Sequence, residues 1–372
     1  MTPVPLDLPV RPPEAAELAN LVFSLAERKP LNDELRTRIA ARLAPMRLES
    51  LRPYAGSLER DPVHHSTYYM AMDGAEGQPL LLHMAPAAAP TSAIFPKPLL
   101  IGRMRSAKGS EMVLNAIPFG PRDHENLQRF TSQIDQAFLP RAQGLRPAIV
   151  APVVPGAFDG FRAVLKSSRN NVAALGANAA HTDPVDFYFA GMCAAIRAGW
   201  REGYCAGTIM AVSESLPRTI EQGAQLSHFG LDVSGLVVAA AGAEEKYGAA
   251  LKAAERAHES IRQARAARKI ARAFDFEICL ENAAEPTTAE DLRFCLEWLT
   301  SRGHAAQVAA PRLSRESDLA AMAEVARSCH CVLSVSSTAA ARATGGRFQF
   351  RLASDAPDYA AYIIETASDL LA

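Results

Sequence analysis

An excess of charge of either sign is missing: 39 Lys and Arg face 40 Asp and Glu over 372 residues, a formal net charge of −1. With no net field to draw in a polyanion, neither nucleic acid nor an acidic membrane surface is an expected partner. Long apolar runs are missing too. No uninterrupted stretch reaches the roughly 20 residues that a bilayer-crossing helix needs. The opening MTPVPLDLPVRPPEAAEL has no basic region followed by an apolar one, so no export signal is read there and the expected compartment is the cytoplasm. Cysteine is sparse. Six residues, at 193, 205, 279, 295, 329 and 331, form no CxxC pair and no dense framework, which suits reduced thiols in a cytosol. Cys329-His330-Cys331 is the one cluster, and without a second pair at zinc-finger spacing it is not read as a metal site. GxGxxG, Walker, HExxH and GxSxG motifs are absent, so no nucleotide cofactor is expected and the common protease and hydrolase signatures do not apply.

What is present is enough apolar material for a core. Hydrophobic residues make up 49% of the chain and charged residues 21%, which excludes wholesale disorder. Residues up to about 20 are Pro-rich and read as a loose arm. A helical stretch follows over 18–46, interrupted at Pro30. Short extended runs come next: STYYMAMDG and PLLLHMA flank AEGQ as a hairpin would, and PLLIGRM and MVLNAIPF continue the pattern. The region 1–145 is therefore expected to be an N-terminal arm and a small α/β domain, with Ala85 to Pro96 as a Pro/Ala loop.

From about residue 147 the texture changes to short apolar runs separated by longer stretches of helical period, the pattern of strands joined by crossover helices. Eight runs are counted, starting at Pro147, Arg162, Tyr204, Ser227, Phe274, Ala305, Cys331 and Arg347. Eight parallel strands in about 225 residues is near the size of a TIM-type (β/α)8 barrel, and apolar rather than alternating runs fit strands covered on both faces. The region 146–372 is accordingly expected to be an imperfect barrel, because the first and seventh crossovers are too short for full helices. A doubly wound open sheet is the alternative.

Barrel active sites lie at the carboxyl ends of the strands, where the loops converge. That rule selects Lys166, Ser168 and Arg169 after strand two, Glu214 after three, Asp232 in four, Glu281 and Asn282 after five, Arg312 after six, Ser336 and Ser337 after seven, and Arg351 in eight. Asp232 and Glu281 are read as carboxylates in otherwise apolar strands, where an unpaired charge costs several kcal/mol, so each calls for a cation, a metal or a proton. With His228 they make a candidate divalent-metal set, imidazole plus carboxylate. The structural alternatives are that Asp232 pairs with a cation on a neighbouring strand and that Glu281 caps a helix. Elsewhere structural roles are expected. Asp123 caps the helix entered at RDHEN, Asp183 and Pro184 open another, His64-His65 carries no site, and the basic stretch Arg256 to Arg272 is a solvated helix face.

Several segments carry a family likeness. FDFEICLENAAEPTTAEDLRFCLEWLTSRG followed by AAPRL, NAIPFGPRDHENLQRF with LPRAQG, YAGSLERDPVHHSTYYMAM, HFGLD and CVLSVSSTAAARATGGRFQFRLASDAP occur in order between about residues 54 and 360. Together they resemble the bacterial tagaturonate/fructuronate epimerases, metal-dependent barrels that invert a stereocentre of a keto-hexuronate. The resemblance implies a barrel, a sugar-acid ligand and a metal centre with Asp232 among its residues. It also implies that the centre is altered. Glu281 stands where the family has Asp, Asn282 where it has Glu, Ser336 where it has His, Ala340 and Ala341 where it has Asp and Lys, and Arg351 where it has Lys. Amides and serines ligate divalent ions far less strongly than carboxylates or imidazoles, so the metal site is expected to be weakened.

Three readings follow. The first is an epimerase or isomerase acting on a sugar or sugar acid, with Asp232 and Glu281 as metal ligands or acid/base pair, and with Lys166, Arg169, Asn282, Arg312, Ser336 and Arg351 around the substrate. The second is a catalytically inactive homologue with a binding or regulatory role. The third is a barrel lyase or aldolase with Lys166 as a Schiff-base amine. In each the expected partner is a small sugar or sugar acid.

Overall fold

The computed structural model describes residues 51–61, 66–73, 79–87, 94–95, 99–105, 109–151, 174–175, 183–201, 203–314, 318–352 and 358–371. The helix expected over 18–46, the run at Arg162–Ser168, and Lys166, Arg169, His64-His65 and His181 lie outside these residues. The chain divides into two compact units. One takes the described residues up to Phe138 together with Met192–Arg201, and the other takes the remainder from Leu139.

In the first unit five antiparallel strands form one sheet in the order β1-β2-β3-β5-β4. They are β1 (Leu51–Asp61), β2 (Ser66–Asp73), β3 (Pro79–Pro86), β4 (Leu99–Arg105) and β5 (Glu111–Pro118). The expected hairpin is there, with Tyr69 opposite Leu82 and Met70 opposite Leu81. Helix α1 (His124–Gln133) follows and buries Leu127 and Phe130. Asp123 occupies its N-cap position, but the carboxylate turns back and accepts from the Gly120 amide at 2.6 Å rather than capping the helix. A charged group is tied down in this unit as well: Arg201 donates to Glu59 and to Asp135 while stacking on Phe138.

In the second unit eight strands form one sheet in which every ladder is parallel. They are β6 (Ala148–Ala151), β7 (Ala174–Leu175), β8 (Gly207–Ala211), β9 (His228–Asp232), β10 (Asp275–Cys279), β11 (Val308–Ala310), β12 (Val332–Val335) and β13 (Phe348–Arg351). Their order, β7-β6-β13-β12-β11-β10-β9-β8, is that of an eight-stranded barrel cut once, between its second and third staves. The fold is thus α/β and TIM-barrel-like, with the sheet curled and the seam between β7 and β8 unladdered among the described residues. Among the described residues the strand beside β6 is Ala174–Leu175, which pairs with Val150 and Ala151.

Helices return the chain between staves: α2 (Pro184–Ala198), α3 (Leu216–Gln222), α4 (Ala243–Ala267), α5 (Ala289–Ser301), α6 (Leu319–Ser328), the short α7 (Thr338–Ala343) and α8 (Tyr359–Leu371). Their starts are legible locally. Asp183 accepts from the Val185 amide at 2.8 Å ahead of Pro184, and Thr288 and Asp291 exchange side-chain and backbone bonds in a capping box. Helix α4 buries Tyr247, Ala250, Leu251, Ala254, Ala257 and Ile261 at helical spacing. The basic face expected on α4 is only partly solvated: Arg265 is buried and donates to the carbonyls of Ala224 and Leu226 at 2.9 and 2.6 Å and to that of Arg272. Arg272 in turn donates to the Pro140 carbonyl. Among the described residues no helix is long and apolar enough to cross a membrane.

The segment before β6 is tied to the amino-terminal end of β10. Asp275, at the start of β10 and 2% exposed, accepts from the backbone amides of Gln143 at 2.6 Å and Gly144 at 3.0 Å. Gly144 has φ +61°, a left-handed conformation that a side chain disfavours. A buried carboxylate therefore anchors a turn that only glycine forms cheaply.

Candidate functional site

Residues paired across a parallel ladder share one face of the sheet. The registers Gly207–His228, His228–Asp275, Gly230–Glu277 and Ser334–Gln349 place His228, Glu277, Gln349 and Arg351 on the inner face. The outer face takes Phe229, Phe276, Leu333 and Phe350, all buried. Glu277 is the centre of the inner set and has no exposure. One carboxylate oxygen accepts from His228 Nε2 at 2.8 Å and Gln349 Nε2 at 3.2 Å, and the other accepts from Arg351 Nη2. Burial acts to raise the Glu277 carboxyl, but the Arg351 guanidinium and the His228 hydrogen bond outweigh it and hold the group ionised well below the usual carboxylate range. Space for the imidazole comes from Gly207, where a Cβ would lie 2.6 Å from that of His228.

Arg351 links this inner layer to the mouth. Its Nη1 donates to Glu281 Oε1 at 2.6 Å and its Nη2 lies 3.6 Å from Cys279 Sγ. The side chain is 17% exposed, Glu281 43%. Against the cost of burial, Glu277 raises the Arg351 pKa, so the guanidinium is a fixed cation. Asp232, at the end of β9, accepts from the Ser234 amide at 3.0 Å and from Asn282 Nδ2 at 2.9 Å. Its partial burial is outweighed by these bonds and by Arg351, and its pKa is lowered. Above these groups opens a cleft of about 530 Å³, lined by Glu281, Asn282, Arg312, Ser334, Ser336 and Arg351 among others.

The barrel mouth thus brings together Asp232, Glu281, Asn282, Arg312, Ser336 and Arg351. It does not bring His228 to them. His228 opens β9 and Asp232 closes it; at about 3.3 Å per residue the two Cα atoms stand about 13 Å apart, and the imidazole is engaged by Glu277. Two details of the expected site are corrected. Glu281 is not inside a strand: β10 ends at Cys279, and Glu281 is an exposed residue paired with Arg351 rather than a helix cap. Asp232 is bound by an amide side chain and a backbone amide, not by direct contact with a cation. The carboxylates buried in an apolar strand are Asp275 and, at its centre, Glu277. The signal for Glu277 was a charged residue in mid-run in FDFEICL, two positions from Asp275 and Cys279 on the same face.

The family likeness implies a metal centre, and the residues present do not fit one. Among the described residues no three His, Cys, Asp or Glu side chains gather at metal-ligand distance. Glu277 and Glu281 are both engaged by the Arg351 guanidinium, and Asp232 accepts from amide donors. Asn282 and Ser336 add only neutral oxygens, weak ligands for a divalent ion.

Comparison with known proteins gives a relation through the fold. No protein-family profile and no curated sequence matches the chain. Among solved structures, a glycerol complex of fructuronate-tagaturonate epimerase from Cohnella laeviribosi superposes with a TM-score of 0.61 at 18% identity, covering 85% of this chain and 74% of that one. The native form of the same enzyme gives a TM-score of 0.56 at 18% identity, covering 86% and 75%. At this identity the likeness shows a shared fold.

Proposed function

We propose that this barrel binds a sugar acid of the keto-hexuronate type at its carboxyl-terminal mouth without a divalent ion, as a binding or regulatory relative of the epimerase whose fold it shares. The observation that carries this reading is the Glu277–Arg351–Glu281 ladder, in which a guanidinium fixed by two carboxylates takes the place that a bound cation would need. The cleft is polar, small and at the strand ends, as expected for a polyhydroxylated ligand. Glu281, Asn282, Ser334 and Ser336 in its lining offer carboxylate, amide and hydroxyl groups that suit hydrogen bonding to sugar hydroxyls.

One arrangement favours retained chemistry: Asp232, through Asn282, and Glu281 belong to the same strand-end cluster, as an acid/base pair would. Titration calorimetry on EDTA-treated protein with D-tagaturonate and D-fructuronate, followed by NMR of the recovered sugars, separates the readings. Metal-independent binding with unchanged sugars is the expected result. Interconversion of the two sugars restores the epimerase reading. A requirement for Mn²⁺, Zn²⁺ or Ni²⁺, or a melting temperature raised by those ions, overturns the metal-free site.

A further inference from the structure

Among the described residues, a cation and a buried hydroxyl of the cleft lining have no partner for their side chains. Arg312 lines the cleft and, among the described residues, its guanidinium makes no hydrogen bond or ion pair; only the backbone of this residue is engaged, with Thr287. Ser334, in β12, is 7% exposed, lines the same cleft, and its Oγ has no hydrogen-bond partner. A buried hydroxyl without a partner costs free energy that alanine would avoid. The register puts Ser334 beside Gln349 on the inner face, so the hydroxyl belongs to the floor of the cleft. Arg351, by contrast, is already shared by Glu277 and Glu281.

We infer that Arg312 and Ser334 form the anchor for the carboxylate of the bound sugar acid, and that Arg351 is a structural counterion rather than part of the anchor. This rests on the sugar-acid reading of the site and deepens it. Arg351 is committed to Glu277 and Glu281, whereas Arg312, among the described residues, has no carboxylate on it. A singly charged carboxylate can dock on the unpaired fork of Arg312, whereas a phosphate dianion adds a second negative charge with no cation left for it.

The test compares D-tagaturonate with the neutral sugar D-tagatose and with inorganic phosphate, by calorimetry on the wild type, Arg312→Gln and Ser334→Ala. The wild type is expected to prefer the acid over the neutral sugar by at least about 10-fold, the scale of one charge-assisted hydrogen bond, and to bind phosphate more weakly than the acid. Arg312→Gln should abolish that preference and leave D-tagatose affinity within about 2-fold. Ser334→Ala should weaken acid binding several-fold with an unchanged or higher melting temperature, a combination that a purely structural serine would not give. Acid preference retained in both variants overturns the anchor while leaving the sugar-acid site standing. Phosphate binding more tightly than the acid also overturns it. Failure of the wild type to bind D-tagaturonate at all removes the sugar-acid reading and the anchor together.

Discussion

Replacing Arg351 by Met tests the central ladder directly. The substitution keeps most of the stem volume and removes the charge that Glu277, with no exposure, depends on. At an effective dielectric of about 20, unit charges about 3 Å apart attract by about 5 kcal/mol, and loss of one partner of a buried pair typically costs about 3–5 kcal/mol. At about 2–4 °C per kcal/mol for a unit of this size, the melting temperature at pH 8 should fall by about 6–20 °C. The pH dependence carries the more specific signature. In the wild type the Glu277 pKa is lowered from 4.5 to about 2. Its contribution is therefore complete above pH 4.5 and is lost as pH falls toward 2. Without Arg351 the largest influence left is burial, which raises that pKa, so the penalty should be smaller at pH 5 than at pH 8. Glu277→Gln combined with Arg351→Met should recover most of the loss, because an amide needs no counterion and can still meet His228 and Gln349. Thermal and urea unfolding at the two pH values read all three effects. A loss under about 1 kcal/mol at pH 8, a penalty independent of pH, or additive effects in the double variant would refute the coupling.

Asp275→Ala should destabilise the barrel by about 2–4 kcal/mol in urea unfolding, since it leaves the amides of Gln143 and Gly144 without their acceptor; Asp275→Asn should cost less. Arg265→Met should cost a similar amount by leaving the carbonyls of Ala224, Leu226 and Arg272 unpaired, whereas loss of the exposed Arg262 charge should fall within about 0.5 kcal/mol. His258 is packed against His304 and Phe276; burial, then the neighbouring His304 and Arg262, lowers its pKa from 6.5 to about 4. A depressed histidine supplies stability that is complete above pH 6.5 and is lost as pH falls to about 4. His258→Phe should therefore flatten the stability profile across that window by on the order of 2 kcal/mol, read by urea midpoints at pH 7 and pH 4.5.

Seven of the eight staves were legible because each is a short apolar run bounded by helical periodicity, and covered strands leave that mark in any sequence. The run expected at Arg162 lies outside the described residues, and Ala174–Leu175, the two-residue strand that pairs with β6, is too short to carry a periodicity. The carboxyl-end rule likewise picked Asp232, Asn282, Arg312, Ser336 and Arg351, which do lie at the stave ends, because those ends converge in any barrel. Pairing is a different matter. Whether Arg351 serves a ligand or a carboxylate depends on what faces it across the barrel, and residues 277 and 351 are joined only by ladders running through β11 and β12. Glu277 was visible as a charge in an apolar run; that it, rather than Glu281, is the buried member was decided by where β10 ends. The same ladders separate His228 from the mouth and, among the described residues, leave the Ser334 hydroxyl without a partner. Composition and periodicity are local properties and survive in one dimension, whereas the choice of counterion is made between residues that meet only when the sheet curls.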